Sequence, residues 1–585
     1  MLLRKSRILA GHVFVWSIVL FSFTLFFSSA SANDKAAKID KLAQQYHDAR
    51  LFNGALLVAE NGKVIFKKGY GYANMEWQIP NAPDVKYRIG SVTKQFTAIL
   101  ILQLMEQGKI KLDGTISQYL PEYPEATGNK ITIHQLLNHT SGIPSYTGFP
   151  NFENEISRDP YQPMDFISLF NKKELEFEPG SQFSYNNSAY FLLGVIIEKI
   201  VGKPYEQVLQ ERILTPMGLQ NTGYDRSERI IPNRASGYTK TLTGYLNATY
   251  LDMSLPYSAG SLYSTVEDLY QWDQVLYTDK LFKNPATKAL LFKPGLSSYG
   301  YGYFIRQVPV GKADRMVNVI EHGGGINGFV TGFRRFVDDQ HLIAVVDNSE
   351  QGQERLMTGI ADILYGEQAD SPKKSIAEAL LNIIEKNDLQ AGIAFYKSQK
   401  EKAAEAYNFS ESELNALGYH YLRSDDIDAA QQIFKLNIEM FPEGANTYDS
   451  YAESLAEAGD KEGAIANYQK SLDLNPGNRN AIEKLKELGV EIADKEIAVA
   501  PVVLDQLAGE YEIQPGFVLT VTHENGRLYT QATGQSRFEI FPSTEYEWFV
   551  KAFNAQISFH AEQNGSITSL TLHQGGRDVP AKRIK

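Results

Sequence analysis

Apolar and polar residues alternate in several ways along this chain, and each way predicts a different element. The runs Phe52–Ala59 and Lys63–Gly69 flank Glu60-Asn61-Gly62. An Asn-Gly pair between two such runs predicts a β-hairpin. The stretch Gln95–Met105 is apolar at most positions and ends at Gly108. With no polar face, it predicts a helix at the centre of a domain. Ala189–Val201 and Val266–Tyr277 predict further helices, within a region from Lys109 to Tyr299 rich in Pro, Gly and Tyr. Met316–Glu321, Phe329–Val337 and His341–Asp347 predict late strands. Strands at both ends with helices between imply an α+β domain: an antiparallel sheet flanked by helices, with a helical insertion.

Past Asp370 the pattern changes to helical spacing in Ala, Glu, Lys and Leu. Leu417-Gly418, Tyr421, Ala430, Phe434 and Pro442 recur as Tyr451-Ala452, Leu455, Ala464, Tyr468 and Pro476, each 34 residues on. That is the tetratricopeptide period. Small residues at 418, 430, 452 and 464 suit close helix packing, and flanking helices near 376–402 and 480–488 would cap the array. From about Leu504 the period becomes two, in short runs such as Phe517–His523, Arg527–Gln531 and Ile567–His573. These predict a small all-β, barrel-like domain.

At the N-terminus, Arg4, Lys5 and Arg7 precede an apolar run from Ile8 to Phe27 and the small-residue segment Ser28–Ala32. This is the form of a signal peptide cleaved after Ala32, and it implies export to the periplasm or beyond. An uncleaved anchor is the alternative, because the run is just long enough to span a bilayer. The expected organisation is therefore a signal peptide (1–32), a catalytic domain (33–370), a helical linker with repeats (371–490, best at 411–444 and 445–478), and a small β-domain (500–585).

Composition narrows the function. A net charge of −12 argues against a nucleic-acid binder. The absence of cysteine excludes disulfides and a cysteine nucleophile. No H-E-x-x-H pair occurs, and the ten histidines have no metal-ligand spacing, so no cofactor is expected.

The chemistry lies in Ser91-Val92-Thr93-Lys94, at the start of the apolar helix. Residues three apart share a helix face, so Lys94 can reach the Ser91 hydroxyl. A serine needs such a base, and burial lowers a lysine pKa towards that role. The spacing alone is weak: Ser371-Pro372-Lys373-Lys374 also matches it, and a serine at a helix start is commonly a cap.

Two further segments sharpen the picture: Phe183-Ser184-Tyr185-Asn186-Asn187-Ser188 with its trailing Leu192-Leu193-Gly194, and Glu321-His322-Gly323-Gly324-Gly325. With Ser91 and Lys94 they resemble the ordered motifs of the serine β-lactamase and penicillin-binding-protein superfamily. The similarity is to the branch of class C β-lactamases, D-alanyl-D-alanine carboxypeptidases and esterases, over about Asp40 to Tyr365. Ile131–Ile143 and Ala259–Leu269 look like further blocks of it. The resemblance implies Ser91 as acylated nucleophile and Lys94 and Tyr185 as proton carriers, with an ammonium favouring ionised Tyr185. It implies Asn187 as donor to the substrate amide, and the backbone N–H groups of Ser91 and Gly325 as oxyanion hole. His322-Gly323-Gly324 stands where class C β-lactamases have Lys-Thr-Gly. A histidine there would bind a substrate carboxylate only as it protonates, near pH ~6.5. The expected function is hydrolysis of a D-amino-acid peptide or small ester. The alternatives are a true β-lactamase, and a silent scaffold that binds a protein or peptide partner through its repeats.

Overall fold

The computed structural model describes residues 34–585, apart from 312–314, 491–498, 515–516, 534, 536, 552–554, 563–564 and 575–576. The expected signal segment lies outside the described residues.

The first domain is built on a six-stranded antiparallel sheet: β1 (Gly54–Glu60), β2 (Lys63–Tyr70), β3 (Phe304–Val310), β4 (Arg315–Ile326), β5 (Phe329–Phe336) and β6 (His341–Asp347), ordered β3-β4-β5-β6-β1-β2. Strands β1 and β6 pair from Gly54↔Asp347 to Ala59↔Leu342, which joins the two ends of the domain. Both are buried on both faces, so they read as continuous apolar runs. Alternate residues serve two cores. Ala55, Leu57, Leu342 and Ala344 face the large core with α1 (Thr93–Glu106) and α2 (Asn187–Val201). Leu56, Val58, Ile343 and Val345 face a smaller core that includes Leu42 and the helix Glu354–Leu364. Helix α1 buries Thr93–Leu102 without a break, as its sequence predicts. Each of its buried Leu and Ile residues contributes about 1.5–3 kcal/mol.

The helical region comprises α3 (Ile376–Lys386), α4 (Leu389–Lys402), α5 (Glu411–Arg423), α6 (Ile427–Met440), α7 (Ala445–Glu457), α8 (Lys461–Leu474) and α9 (Arg479–Glu487). Gly418 lies where a Cβ would meet the Phe434 ring at 2.3 Å, so α5 and α6 pack against each other only because that side chain is missing. The last region is a closed eight-stranded barrel: β7 (Gly509–Gln514), β8 (Phe517–Glu524), β9 (Arg527–Ala532), β10 (Arg537–Pro542), β11 (Glu547–Val550), β12 (Ala555–Ala561), β13 (Ile567–Gln574) and β14 (Arg577–Arg583). Closure comes from pairing of β7 with β14 at Tyr511↔Arg583.

The three regions touch. Glu378 of α3 accepts from Arg50 at 3.1 Å and from Lys240 at 2.8 Å. The turn at Gly477 lies against Val550 of the barrel. On β9, Gln531 Nε2 donates to the carbonyl oxygen of Phe183 at 3.1 Å. No helix among the described residues is long and apolar enough to cross a membrane.

Candidate active site

Ser91 sits in a 3-10 turn, Gly90–Val92, that leads into α1. The N-caps of this turn and of α1 are Ile89 and Val92, so Ser91 is not the cap that its place at a helix start allowed. Lys94 is fully buried, and its Nζ has three neighbours: Ser91 Oγ at 3.0 Å, Asn187 Oδ1 at 2.8 Å and the Ala259 carbonyl at 2.9 Å. Burial holds its pKa well below the usual lysine value, which favours the neutral amine. A neutral amine has two N–H bonds and one lone pair. Asn187 Oδ1 and Ala259 O can only accept, so they take both hydrogens. The lone pair remains for the Ser91 O–H, which makes Lys94 a base aimed at one atom.

Two adjacent asparagines divide the work at the start of α2. Asn186 is the N-cap, its side chain accepting from Ala189 N–H at 2.8 Å. Asn187 is thereby free to face Lys94, and its Nδ2 donates to Thr147 Oγ1 at 3.2 Å. Tyr185 lies just before, with the Lys94 nitrogen 4.8 Å from its ring centroid. Its hydroxyl is buried without a hydrogen bond of good geometry. Burial pushes the phenol well above its ordinary pKa, and the neighbouring Ser91 hydroxyl acts the other way. This differs from the expected ionised Tyr185: burial raises the phenol more than the Ser91 hydroxyl lowers it, and the net shift is upward.

The third segment is a continuation of strand β4. β4 runs on to Ile326, five residues past the predicted Glu321. Its neighbour β3 stops at Phe304, opposite Glu321. Residues His322–Ile326 are therefore paired to β5 alone, and their other edge faces Ser91. The approach demands glycine. A Cβ on Gly324 would lie 2.0 Å from Ile89 O and 3.2 Å from Ser91 N. Gly90 has φ +49°, and a Cβ there would meet Gly325 O at 2.9 Å. Gly325 has open space where its side chain would be, so its backbone borders the cleft.

That cleft has a cavity volume of about 120 Å³. Ser91, Asn187 and Gly325 line it with Tyr146, Phe152, Leu251 and Ile326. No charged side chain lines it. A cavity of about 680 Å³ bordered by Glu198, Arg226 and Tyr257 shares none of its lining residues, so chemistry and not size marks the site.

His322 does not line the cleft, contrary to its expected part in carboxylate binding. It is 3% exposed. Its Nδ1 is 2.6 Å from the Gly323 carbonyl and must donate there, which leaves Nε2 to accept from Tyr299 O–H at 3.1 Å. Burial, with Lys94 nearby, lowers its pKa to about 3. The imidazole is neutral throughout the ordinary pH range, so it offers no switchable charge near pH 6.5.

One residue without an expected role belongs to the site. His139, at φ +60°, is buried against the Tyr185 ring at 4.4 Å between centroids. Its Nδ1 accepts from Asn186 N–H at 3.0 Å, and its carbonyl accepts from Ser184 N–H at 2.9 Å. It thus clamps the backbone on both sides of Tyr185. Only its place in the Ile131–Ile143 block hinted at this. Among the described residues no group of three or more acidic or histidine side chains is placed to hold a metal ion.

An apolar-walled cleft, a serine with a buried lysine base and a glycine-rich strand edge define a serine hydrolase of β-lactamase-related type. The β-lactamase family model matches residues 39–366, and the chain belongs to that family, within the β-lactamase and penicillin-binding-protein superfamily. A second model, a domain of unknown function (DUF3471), matches 493–582 and covers the barrel. The chain is 25% identical over 579 residues to penicillin-binding protein 4* of Bacillus subtilis, covering 94% of this chain and 99% of that one. It is 31% identical over 282 residues to a teichoic acid D-alanine hydrolase of Staphylococcus aureus, covering 47% and 67%. The crystal structure of a penicillin-binding protein from Bacillus halodurans superposes with a TM-score of 0.50 at 27% identity, over 55% of this chain and 98% of that one.

Proposed function

We propose that the protein is exported and cleaves an amide or ester of a D-amino acid, D-alanine above all, through an acyl-enzyme on Ser91. The observation that carries this is the buried Lys94 nitrogen, 3.0 Å from Ser91 Oγ and held by Asn187 Oδ1 and the Ala259 carbonyl. Lys94 takes the Ser91 proton as Oγ attacks the carbonyl carbon. The oxyanion forms between the N–H groups of Ser91 and Gly325, at the positive end of α1. Tyr185, protonated at rest, gives its proton to the leaving amine or alkoxide and regains one from Lys94. Water then attacks the ester, with the same pair removing its proton. Asn187 holds Lys94 and presents an amide at the cleft wall.

The Staphylococcus relative is a teichoic acid D-alanine hydrolase, which supports the same acyl group. The signal-like N-terminus and the cell-wall character of the relatives support export. We read α5–α8 as tetratricopeptide repeats with a peptide or protein partner. Their starts at 411 and 445, and at 427 and 461, keep the sequence period.

A fluorophosphonate tests the central step. Mass spectrometry is expected to place the label on the peptide containing Ser91, with none on Ser91→Ala. A label on another serine overturns the assignment.

A further inference from the structure

Next to the uncharged cleft lies a pocket of opposite character. It has a volume of about 150 Å³ and is bordered by Arg88, Arg234, Tyr250 and Phe329. It shares two walls with the cleft, Leu251 and Asn327. Asn327 Nδ2 donates to Thr249 Oγ1 at 2.9 Å, which ties the tip of the β4–β5 turn to the segment forming the far wall. Arg88 stands three residues before Ser91, on a strand paired to Leu262–Ser264. The two spaces therefore adjoin.

Both guanidinium groups lean on one fully buried carboxylate. Arg88 Nε donates to Asp225 Oδ2 at 2.8 Å, and Arg234 Nη1 donates to Asp225 Oδ1 at 2.5 Å. One negative charge cannot neutralise two positive ones. Each arginine uses one nitrogen on Asp225 and keeps further N–H donors. No acidic side chain lines the pocket. Asp252, which follows the wall residue Leu251, accepts from Tyr250 O–H at 2.9 Å. Asp225 thus acts as a fixed bracket that aligns two forks and leaves a net positive charge. Paired guanidinium groups match the oxygens of carboxylate and phosphate.

We infer that this pocket is an anion subsite of the same active site, and that the natural substrate carries a carboxylate or phosphate beside its scissile D-aminoacyl bond. This rests on the serine-hydrolase reading above. It also separates two tasks: an uncharged cleft for the reacting bond and a cationic pocket for the body of the substrate.

The test uses three D-alanyl amides of similar length, with propylamine, 3-aminopropanoate and 2-aminoethyl phosphate as amines. N-acetyl- and N-succinyl-D-alanine amide move the charge to the acyl side. With the full chain, KM for a charged member is expected to fall about tenfold or more below its neutral partner, the scale of charge-assisted hydrogen bonds, and the gap should narrow in salt. The carboxylate and phosphate arms show which anion is preferred. In Arg234→Gln the ratio should approach one, and in Arg234→Lys much of it should persist. Equal KM values on both sides, or an unchanged ratio in Arg234→Gln, overturn the inference and leave the serine mechanism standing. Calorimetry of Ser91→Ala with the same ligands reads the pocket without turnover. A charged-ligand preference there, with no hydrolysis by the wild type, keeps the pocket and removes the function. Should Arg234→Gln fail to fold, the calorimetric preference and its retention in Arg234→Lys decide the matter.

Discussion

The first domain and the barrel are both closed around a core, yet they bury different things. Around Ser91 the interior is polar. Lys94, His139, Asn186 and Ser188 are all buried, and their bonds converge on a few atoms. The barrel interior is apolar, filled by Leu519, Val521, Leu528, Ile540, Trp548, Ile557 and Leu570. Eight strands leave room only for side chains or one small ligand, and here side chains fill it. Burial alone therefore does not make a site. What marks one is a polar group placed in the interior with its partners fixed, so that one lone pair or one hydrogen has a single use.

The strongest test of this contrast is to remove those groups. Lys94→Ala and Tyr185→Phe are each expected to lower kcat by at least about a hundredfold, the range for a lost acid or base. Their double variant should lose less than the product, because both serve one proton path. Losses that multiply would mean two independent roles.

A barrel pair sharpens the other side. Trp548→Ala, which empties a packed interior, should cost about 3–5 kcal/mol of barrel stability and leave kcat nearly unchanged. Gln531→Ala, on the outer face, should do the reverse: little change in melting, and a drop in kcat of about fivefold, the worth of one hydrogen bond. Melting curves and kcat measured on both proteins check this. A barrel variant that changes both quantities together would erase the distinction.

The smallest expected effect concerns pH. Activity should fall as pH drops through the depressed pKa of Lys94, because the amine is the active form. His322, with a pKa of about 3, should add no step near pH 6.5. The acid limb of kcat/KM should therefore survive in His322→Asn. If the limb disappears with the imidazole, the titrating group is the histidine.

These outcomes also bear on what a sequence can reveal. Ser91 with Lys94, and Tyr185 with Asn187, were legible because their geometry is local: a helical turn sets one distance and a helix start sets the other. The hairpin was legible from its Asn-Gly turn and the late strands from short apolar runs, and β6 matches its predicted bounds, His341–Asp347. His322 was misread because exposure is not local. Its burial depends on Tyr299, Phe304 and Tyr185, brought in from two separate segments. The clamp by His139 and the bracket of Asp225 between Arg88 and Arg234 were hidden for the same reason. Each joins residues far apart in the chain, and no periodicity encodes them. The barrel showed as short alternating runs, but its closure between β7 and β14 is a contact of the whole fold.

The bond from Gln531 to the Phe183 carbonyl has a consequence in time. The segment that carries Tyr185 receives this support from a strand 348 residues later in the chain. As the polypeptide emerges, the catalytic sheet and its serine can assemble well before that strand exists. Until then the tyrosine segment is held within its own domain, by His139 and by bonds from Asn186 and Asn187 to Ile143 and Ser145. Completion of the barrel thus adds to the tyrosine segment a support that the first domain does not supply by itself.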